Sequence, residues 1–315
     1  MDRLRAFRYF VMLAQTLNFS ETANHFGVPS SSVSRRIKDL EADLGAALFI
    51  RTTRSVSLTD LGKVYLSEIK TALQSIDLAD EMVKAQSSTP TGNVRITAMP
   101  GYAELYVFPA LQRLRRLYPE IIFDMNITDQ MLNLSNNDAD IAIRAAAELP
   151  DQVVARRLGE HRFILVASPD YISERGAPQS SDQLSHHSVV MYRTPHGVLK
   201  WQTCKNETWK AIDLDPIFVS NHGPSLMENV IEGRGLALLP NWAVAAELAD
   251  GRLKAIDLED GPLSTSGDTK MAMYLLYHPP KFRLLKIKVT AEFLISELRR
   301  GGVFRQSPGP ISGNF

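Results

Sequence analysis

An α/β fold preceded by a helical head with a small hairpin is what the sequence predicts, and three observations predict it. Apolar residues near the start recur at spacings of three and four, with Gly27 and Gly45 placed where such segments stop. Leu48-Phe49-Ile50-Arg51 and Ser55-Val56-Ser57-Leu58 then flank Thr52-Thr53-Arg54, the pattern of a short hairpin. Beyond Ser87-Ser88-Thr89-Pro90-Thr91-Gly92, a linker by composition, strand-like and helix-like runs alternate, which implies open, mostly parallel sheets whose ligands bind at the carboxyl ends of the strands.

The head opens with Leu4, Phe7, Phe10, Val11 and Ala14 on one helical stripe. Ser20 reads as the N-cap of a short helix over 21–26, which Gly27 ends and Val28-Pro29 turns. A third helix follows, capped by Ser30 or Ser31, with Val33, Ile37, Leu40 and Leu44 on one face and Gly45 at its end. Helix, glycine turn and helix make a helix-turn-helix unit, and the hairpin after it is small enough to be a wing. Thr59 caps a long helix running to about residue 86, roughly 40 Å at 1.5 Å per residue. Within it Tyr65, Ile69, Ala72, Ile76, Ala79 and Val83 are spaced as a coiled-coil seam, to be met by a second chain or by the helix's own domain.

After the linker, strands are expected at 94–98, 121–127, 141–143, 163–167, 189–192, 217–219, 236–239 and 271–277. Helices are expected at 103–118, near Met131, and at 225–232 and 287–300. The segments are therefore a head at 1–59, a linker helix and hinge at 60–92, an α/β domain at 93–300, and a tail at 301–315, rich in Gly, Pro and Ser and expected to be disordered.

Composition narrows the function classes. With 315 residues, 44% hydrophobic and 22% charged, the chain belongs with globular proteins of two or three domains. Its single cysteine, Cys204, makes no internal disulfide or thiolate cluster and fits a reducing cytoplasm. No run approaches the ~18 apolar residues of a membrane span, so neither export nor membrane insertion is expected. Thirty-five basic residues balance thirty-five acidic ones, so net charge gives no hint of nucleic acid. Position does: Arg35-Arg36-x-Lys38 and Arg51-x-x-Arg54 cluster around the helix-turn-helix. Ser30, Ser31, Ser32 and Ser34 precede or interleave with Arg35 and Arg36 in the first turns of the third helix, where a major-groove reader offers hydroxyls and guanidinium forks to bases and phosphates. Double-stranded DNA is the partner these residues suit, with Arg51, Thr53 and Arg54 of the wing beside them.

Residues 19–63, FSETANHFGVPSSSVSRRIKDLEADLGAALFIRTTRSVSLTDLGK, resemble the winged helix-turn-helix of LysR-type transcriptional regulators. The resemblance continues through Gly92-x-Val94-Arg95-Ile96, Asp138-Ala139-Asp140-Ile141-Ala142-Ile143-Arg144, Leu158-Gly159-Glu160, Ala167-Ser168-Pro169-x-Tyr171 and Gly233-x-Gly235-x-Ala237-x-Leu239-Pro240, so that it covers nearly the whole chain. Pro29-Ser30 departs from the Ser-Gln of many members, which implies a different base preference. The resemblance implies an effector domain of two α/β lobes like those of periplasmic binding proteins, with residues 93–162 and 267–300 in one lobe and 163–266 in the other. It implies a cleft lined by Met99, Pro100, Gly101, Tyr102, Thr128, Arg144, Asn221 and His222. It also implies a dimer through the linker helix, further association into a tetramer through the effector domains, and RNA polymerase as a further partner. The Pro100-Gly101 turn before a helix offers backbone N–H groups to a carboxylate or phosphate, and Arg144 either adds charge there or forms a surface ion pair. A small organic anion is the expected effector.

Enzyme readings find little support. Gly233-Arg234-Gly235 lacks the third glycine and ribose-binding acid of a dinucleotide fingerprint, and neither a phosphate loop nor a Gly-x-Ser-x-Gly elbow occurs. His186-His187 lacks further ligands at metal spacing, and Asp138-x-Asp140 reads as the start of a buried strand. No catalytic residue, cofactor or metal is expected. The rival reading, a transporter's solute-binding protein, suits the α/β part but requires an export signal and no DNA-binding head.

Overall fold

The computed structural model describes residues 2–52, 55–84, 89–130, 139–150, 153–205, 208–265, 267 and 271–300. The chain forms two compact units, one of residues up to 88 and one beginning at 89.

In the first unit, α1 (Arg3–Thr16) starts at Asp2, whose carboxylate accepts the Arg5 N–H at 3.1 Å. The second helix, α2 (Phe19–Phe26), is capped by Asn18 and not by Ser20. The Asn18 side-chain oxygen accepts from the Ser20 and Glu21 N–H groups at 2.9 and 3.2 Å, so the helix begins two residues earlier than expected. In α3 (Ser30–Leu44) the N-cap is Pro29, with no side-chain cap, which leaves Ser30 and Ser31 inside the first turn rather than at its boundary. Gly27 and Gly45 close these helices at φ 62° and 64°, the left-handed conformation that glycine adopts without a Cβ penalty.

The wing pairs β1 (Phe49–Arg51) with β2 (Val56–Leu58) in antiparallel register. Thr59 caps α4 (Asp60–Lys84) by accepting the Gly62 N–H at 2.9 Å, and its hydroxyl also donates to the Ala47 carbonyl. Gly62 is required by close approach: a Cβ there would lie 2.2 Å from the Leu48 carbonyl oxygen. One core joins Tyr9, Phe10 and Leu13 of α1 to Val33, Ile37 and Leu40 of α3, Leu48 and Phe49 of the wing, and Ile69 and Leu73 of α4.

The second unit contains two large sheets. Its first lobe holds β3 (Gly92–Ala98), then α5 (Pro100–Tyr102), which passes through a π turn at Ala103–Val107 into α6 (Phe108–Leu117), then β4 (Ile121–Ile127), β5 (Ile141–Ala146) and β6 (Val154–Glu160). The chain crosses to the second lobe and forms β7 (Phe163–Ala167), α7 (Pro169–Arg175), β8 (Val189–Thr194), β9 (Gly197–Val198), β10 (Gln202–Lys205), β11 (Thr208–Ala211) and β12 (Pro216–Ser220). It continues with α8 (Gly223–Ile231), β13 (Leu236–Pro240), α9 (Asn241–Ala249), β14 (Lys254–Ala255) and β15 (Leu263–Ser264), then returns to the first lobe as β16 (Ala272–Tyr277) and α10 (Leu285–Arg300). The strand orders are β4-β3-β5-β16-β6 and β12-β8-β13-β7-β14, with β9 beside β8, while β11, β10 and β15 form a separate small sheet.

The expectation of mostly parallel sheets needs refinement. Along each main path one strand runs against the rest, β16 in the first and β7 in the second, and these are the strands that follow the two crossings. The crossings are tied together where the His161 N–H donates to the Met271 carbonyl at 3.0 Å. Asp140 begins a buried strand, as expected, and its carboxylate accepts from Lys281 Nζ at 2.8 Å and from the Arg95 backbone N–H at 2.9 Å. Burial pushes the Asp140 carboxyl up, but Lys281 and Arg95 outweigh it and hold it below its ordinary value. The helix expected near Met131 and the tail lie outside the described residues.

Candidate nucleic-acid interface and effector cleft

The buried face of α3, Val33, Ile37 and Leu40, is fully excluded from solvent, and this orients the rest of the helix. Spacings of four and three put Ser31, Arg35 and Lys38 on the opposite side, and all three are exposed. Ser32, Ser34 and Arg36 flank them, half-buried, while Ser30 is exposed at the first turn. Among the described residues, Arg35, Arg36 and Lys38 form no ion pair, so the helix presents hydroxyls and uncompensated cations along one stripe. That chemistry suits phosphate and base-edge acceptors.

Arg51 is placed otherwise than expected. Its guanidinium donates to Glu41 Oε2 of α3 at 2.6 Å and lies over the Phe19 ring, 5.2 Å from the centroid. The other Glu41 oxygen accepts the Leu48 and Phe49 N–H groups at 2.9 and 3.1 Å. A cation next to a half-buried carboxylate is drawn to it first, so Arg51 fixes the wing to α3 instead of standing ready for a phosphate. Thr53 and Arg54 lie outside the described residues.

The six seam positions divide. Tyr65 packs edge-on to Phe7 and against Phe10, with ring centroids 6.4 and 5.5 Å away, and Ile69 is buried in the head's own core. For these two the expectation of an inter-chain seam is corrected, because α1 covers the first turns of this face and Arg8 reaches Asp77 at 2.5 Å. Ala72, Ile76, Ala79 and Val83 are exposed, Ile76 by 39% and Val83 by 71%.

In the second unit Met99 is the N-cap of α5, Gly101 is half-buried, and Tyr102 is buried. Thr128 follows β4, its N–H bonded to the Ala98 carbonyl and its hydroxyl accepting the Gln130 N–H at 3.1 Å. The pairing of β3 with β5 sets Ala98 opposite Ile143, which brings the end of β3, Thr128 and Arg144 to one sheet edge. Arg144 is 5% exposed and forms no surface ion pair. It donates to the Ile143 carbonyl at 2.9 Å and to Thr97 Oγ1 at 2.6 Å. Burial pulls its guanidinium down to about 10, still charged at neutral pH. Asn221 and His222 are exposed at the start of α8, and His222 Nδ1 bonds Ser225 Oγ at 2.8 Å. Among the described residues no contact joins these two to Arg144, so the structure brings together the first-lobe members of the expected set only.

Comparison with known proteins agrees with this geometry. Residues 4–63 match the bacterial regulatory helix-turn-helix of the LysR family, and residues 87–299 match the LysR substrate binding domain. The chain belongs to the LysR family of transcriptional regulators. The regulator is 30% identical over 291 residues to CrgA of Neisseria meningitidis serogroup C, spanning 92% of this chain and 95% of that one. It is 31% identical over 253 residues to DmlR of Escherichia coli K12, spanning 79% and 82%. The solved structure of CrgA from Neisseria meningitidis matches with a TM-score of 0.58 at 28% identity, over 93% of this chain and 98% of that chain. The full-length virulence activator AphB of Vibrio cholerae matches with a TM-score of 0.58 at 23% identity, over 93% and 98%, which speaks for the fold alone. These relatives are named transcriptional regulators, and no helix among the described residues is long and apolar enough to cross a membrane.

Several residues of the regulator that matter at these sites were not singled out from the sequence. Glu41 organises the wing. Trp242 of α9 packs on Tyr102, with ring centroids 5.3 Å apart, accepts a hydrogen bond from Tyr106 through its carbonyl at 2.6 Å, and donates its indole N–H to His161 Nδ1 at 3.0 Å. It thus links the first-lobe helix to the crossing between lobes. Burial pushes His161 down to about 4, so it stays neutral, with Nδ1 the acceptor. The Trp-Tyr packing gave no sequence signal, because its members are more than a hundred residues apart.

Proposed function

We propose that this regulator binds duplex DNA through the Ser31, Arg35 and Lys38 stripe, flanked by Ser30, Ser32, Ser34 and Arg36, and responds to a small organic anion. The single observation that carries the DNA reading is this uncompensated stripe on a helix whose opposite face is fully buried. Residues 1–59 form the DNA-binding head, 60–92 the linker helix and hinge, and 93–300 the effector domain, with 301–315 a tail. Two copies pair through the exposed Ala72, Ile76, Ala79 and Val83 of α4, placing two recognition helices on a pseudo-palindromic site. The effector domains associate further, to a tetramer, and RNA polymerase is a partner at the promoter. The regulator works in the cytoplasm and catalyses no reaction.

The anion reading rests on Arg144, a buried guanidinium whose hydrogen bonds go to neutral oxygens, beside the start of α5. Met99, Pro100, Gly101, Tyr102 and Thr128 line the first-lobe side, with Asn221 and His222 across the gap. Two measurements test the proposal. Arg35→Ala is expected to weaken operator binding by about 1–3 kcal/mol while sparing the fold, and unchanged operator affinity at physiological salt would remove α3 as the reader. Calorimetric titration of organic anions is expected to lose its signal in Arg144→Ala; a neutral effector, or full response in that variant, would overturn the anion reading and leave the DNA reading intact.

A further inference from the structure

The two lobes of the effector domain meet in a polar contact beside Arg144. Tyr192, in β8, donates its phenolic proton to Asp129 Oδ2, just after β4, at 2.6 Å. Burial pushes the Tyr192 hydroxyl far above its ordinary value, and the bond to Asp129 and the negative charges of Asp129 and Glu104 push it further, so it remains a donor. Asp129 also acts on Arg144. Among the described residues it is the carboxylate whose charge raises that guanidinium, against the burial that lowers it. The hydrogen bonds of Arg144 run only to neutral oxygens, those of Ile143, Thr97 and, at 3.5 Å, the Gln130 carbonyl. One carboxylate thus joins the lobes one residue away from the carbonyl that meets a buried cation.

On the reading of this cleft as an anion site, we propose that Asp129 is an internal competitor of the effector: it latches the lobes through Tyr192 next to Gln130, whose carbonyl meets Arg144, and an effector carboxylate bound to Arg144 repels it and opens the latch. Two carboxylates next to one buried guanidinium repel each other in a medium that screens them poorly, so both do not share the site at full strength. The incoming carboxylate offers Arg144 a charged acceptor and leaves Asp129 to water. Entry of the anion and retention of the Asp129 bond to Tyr192 then oppose one another. This is the differential contact by which occupancy biases the arrangement of the lobes. It also bounds the ligand: a group without negative charge does not repel Asp129.

The test uses the full-length protein and three probes, sodium acetate, benzoate and succinate, followed by calorimetry. Asp129→Asn keeps the shape and an acceptor for Tyr192 but removes the charge. Tyr192→Phe keeps the charge and removes the latch. Expected is a probe that binds Asp129→Asn about tenfold tighter than wild type, the scale of one unit charge in a partly solvated site. Tyr192→Phe should bind that probe several-fold tighter, and Arg144→Met should not bind it. A merely structural role for Asp129 would weaken binding, not strengthen it. Affinity in Asp129→Asn equal to or below that of wild type, with Arg144→Met still abolishing it, overturns the competitor and leaves the anion reading standing. If no probe binds wild type or Asp129→Asn, or if Arg144→Met binds like wild type, the anion reading falls and the competitor falls with it.

Discussion

Replacing Glu41 with alanine should release the wing from the recognition helix. The Glu41 side chain is 16% exposed and accepts three hydrogen bonds, from the Leu48 and Phe49 N–H groups and from Arg51. Leu48 and Phe49 are only 2% and 4% exposed, so their N–H groups find little water when the carboxylate is gone. A hydrogen bond to a charged partner contributes about 1.5–3 kcal/mol, and bonds sharing one carboxylate do not add. The expected loss is therefore about 2–4 kcal/mol in the local opening of the wing. Hydrogen exchange at the Leu48 and Phe49 amides reads this directly, and that loss corresponds to exchange faster by about 30-fold to several hundred-fold. Glu41→Gln keeps one acceptor oxygen and should fall between the two. Amides that exchange in Glu41→Ala as slowly as in wild type would refute the argument, and the wing would then be held by its apolar core alone.

Three further outcomes follow from the same structure. Ile76→Glu should dissociate the proposed dimer without unfolding the head, whereas Ile69→Ala should cost the head about 2–5 kcal/mol as a buried truncation; light scattering and chemical denaturation together distinguish the two positions. Gly62→Ala drives a Cβ into the Leu48 carbonyl and should destabilise the head by about 1–3 kcal/mol, visible in its denaturation midpoint. His161 is held neutral, with its value down at about 4, so the unfolded chain binds the extra proton between about pH 6.5 and 4. Its contribution is therefore complete above pH 6.5 and is lost as pH falls through that window, by about 3 kcal/mol in all. His161→Gln should show a correspondingly flatter dependence of stability on pH, and an equal slope in both proteins would contradict it.

The head was legible because its determinants are local. Val33, Ile37 and Leu40 lie on one stripe, and the turns at Gly27 and Gly45 stand where their residue type places them. What was misread there concerns competition between neighbours. Asn18 and Ser20 both suit a cap, and the geometry of the left-handed turn at Leu17 decides for Asn18. Arg51 and Arg35 look alike as cations, and only the fold shows that Arg51 faces Glu41 while Arg35 faces water. In the second unit the apolar strands were found, whereas β6, with Arg156 and Arg157 on an exposed edge, and the short polar strands β10 and β11 were not. Periodicity reports burial, and edge strands and small three-stranded sheets bury too little to produce it.

The cleft was less legible than the head for a physical reason that bears on function. Tyr192 and Asp129 are 63 residues apart, and Trp242 and His161 are 81 residues apart. Each pair exists only because the fold brings distant stretches of the chain together. Residue types predict which side chains are able to bond; the topology selects the pair. Arg144 shows the difference: its sequence context allows a surface ion pair or a cleft ligand, and its burial among neutral oxygens rejects the first. That burial makes the neighbouring carboxylate consequential, since a charge acts strongly only where water does not screen it. On the anion reading proposed above, a cation in such surroundings favours a charged ligand over a neutral one more strongly than an exposed cation would.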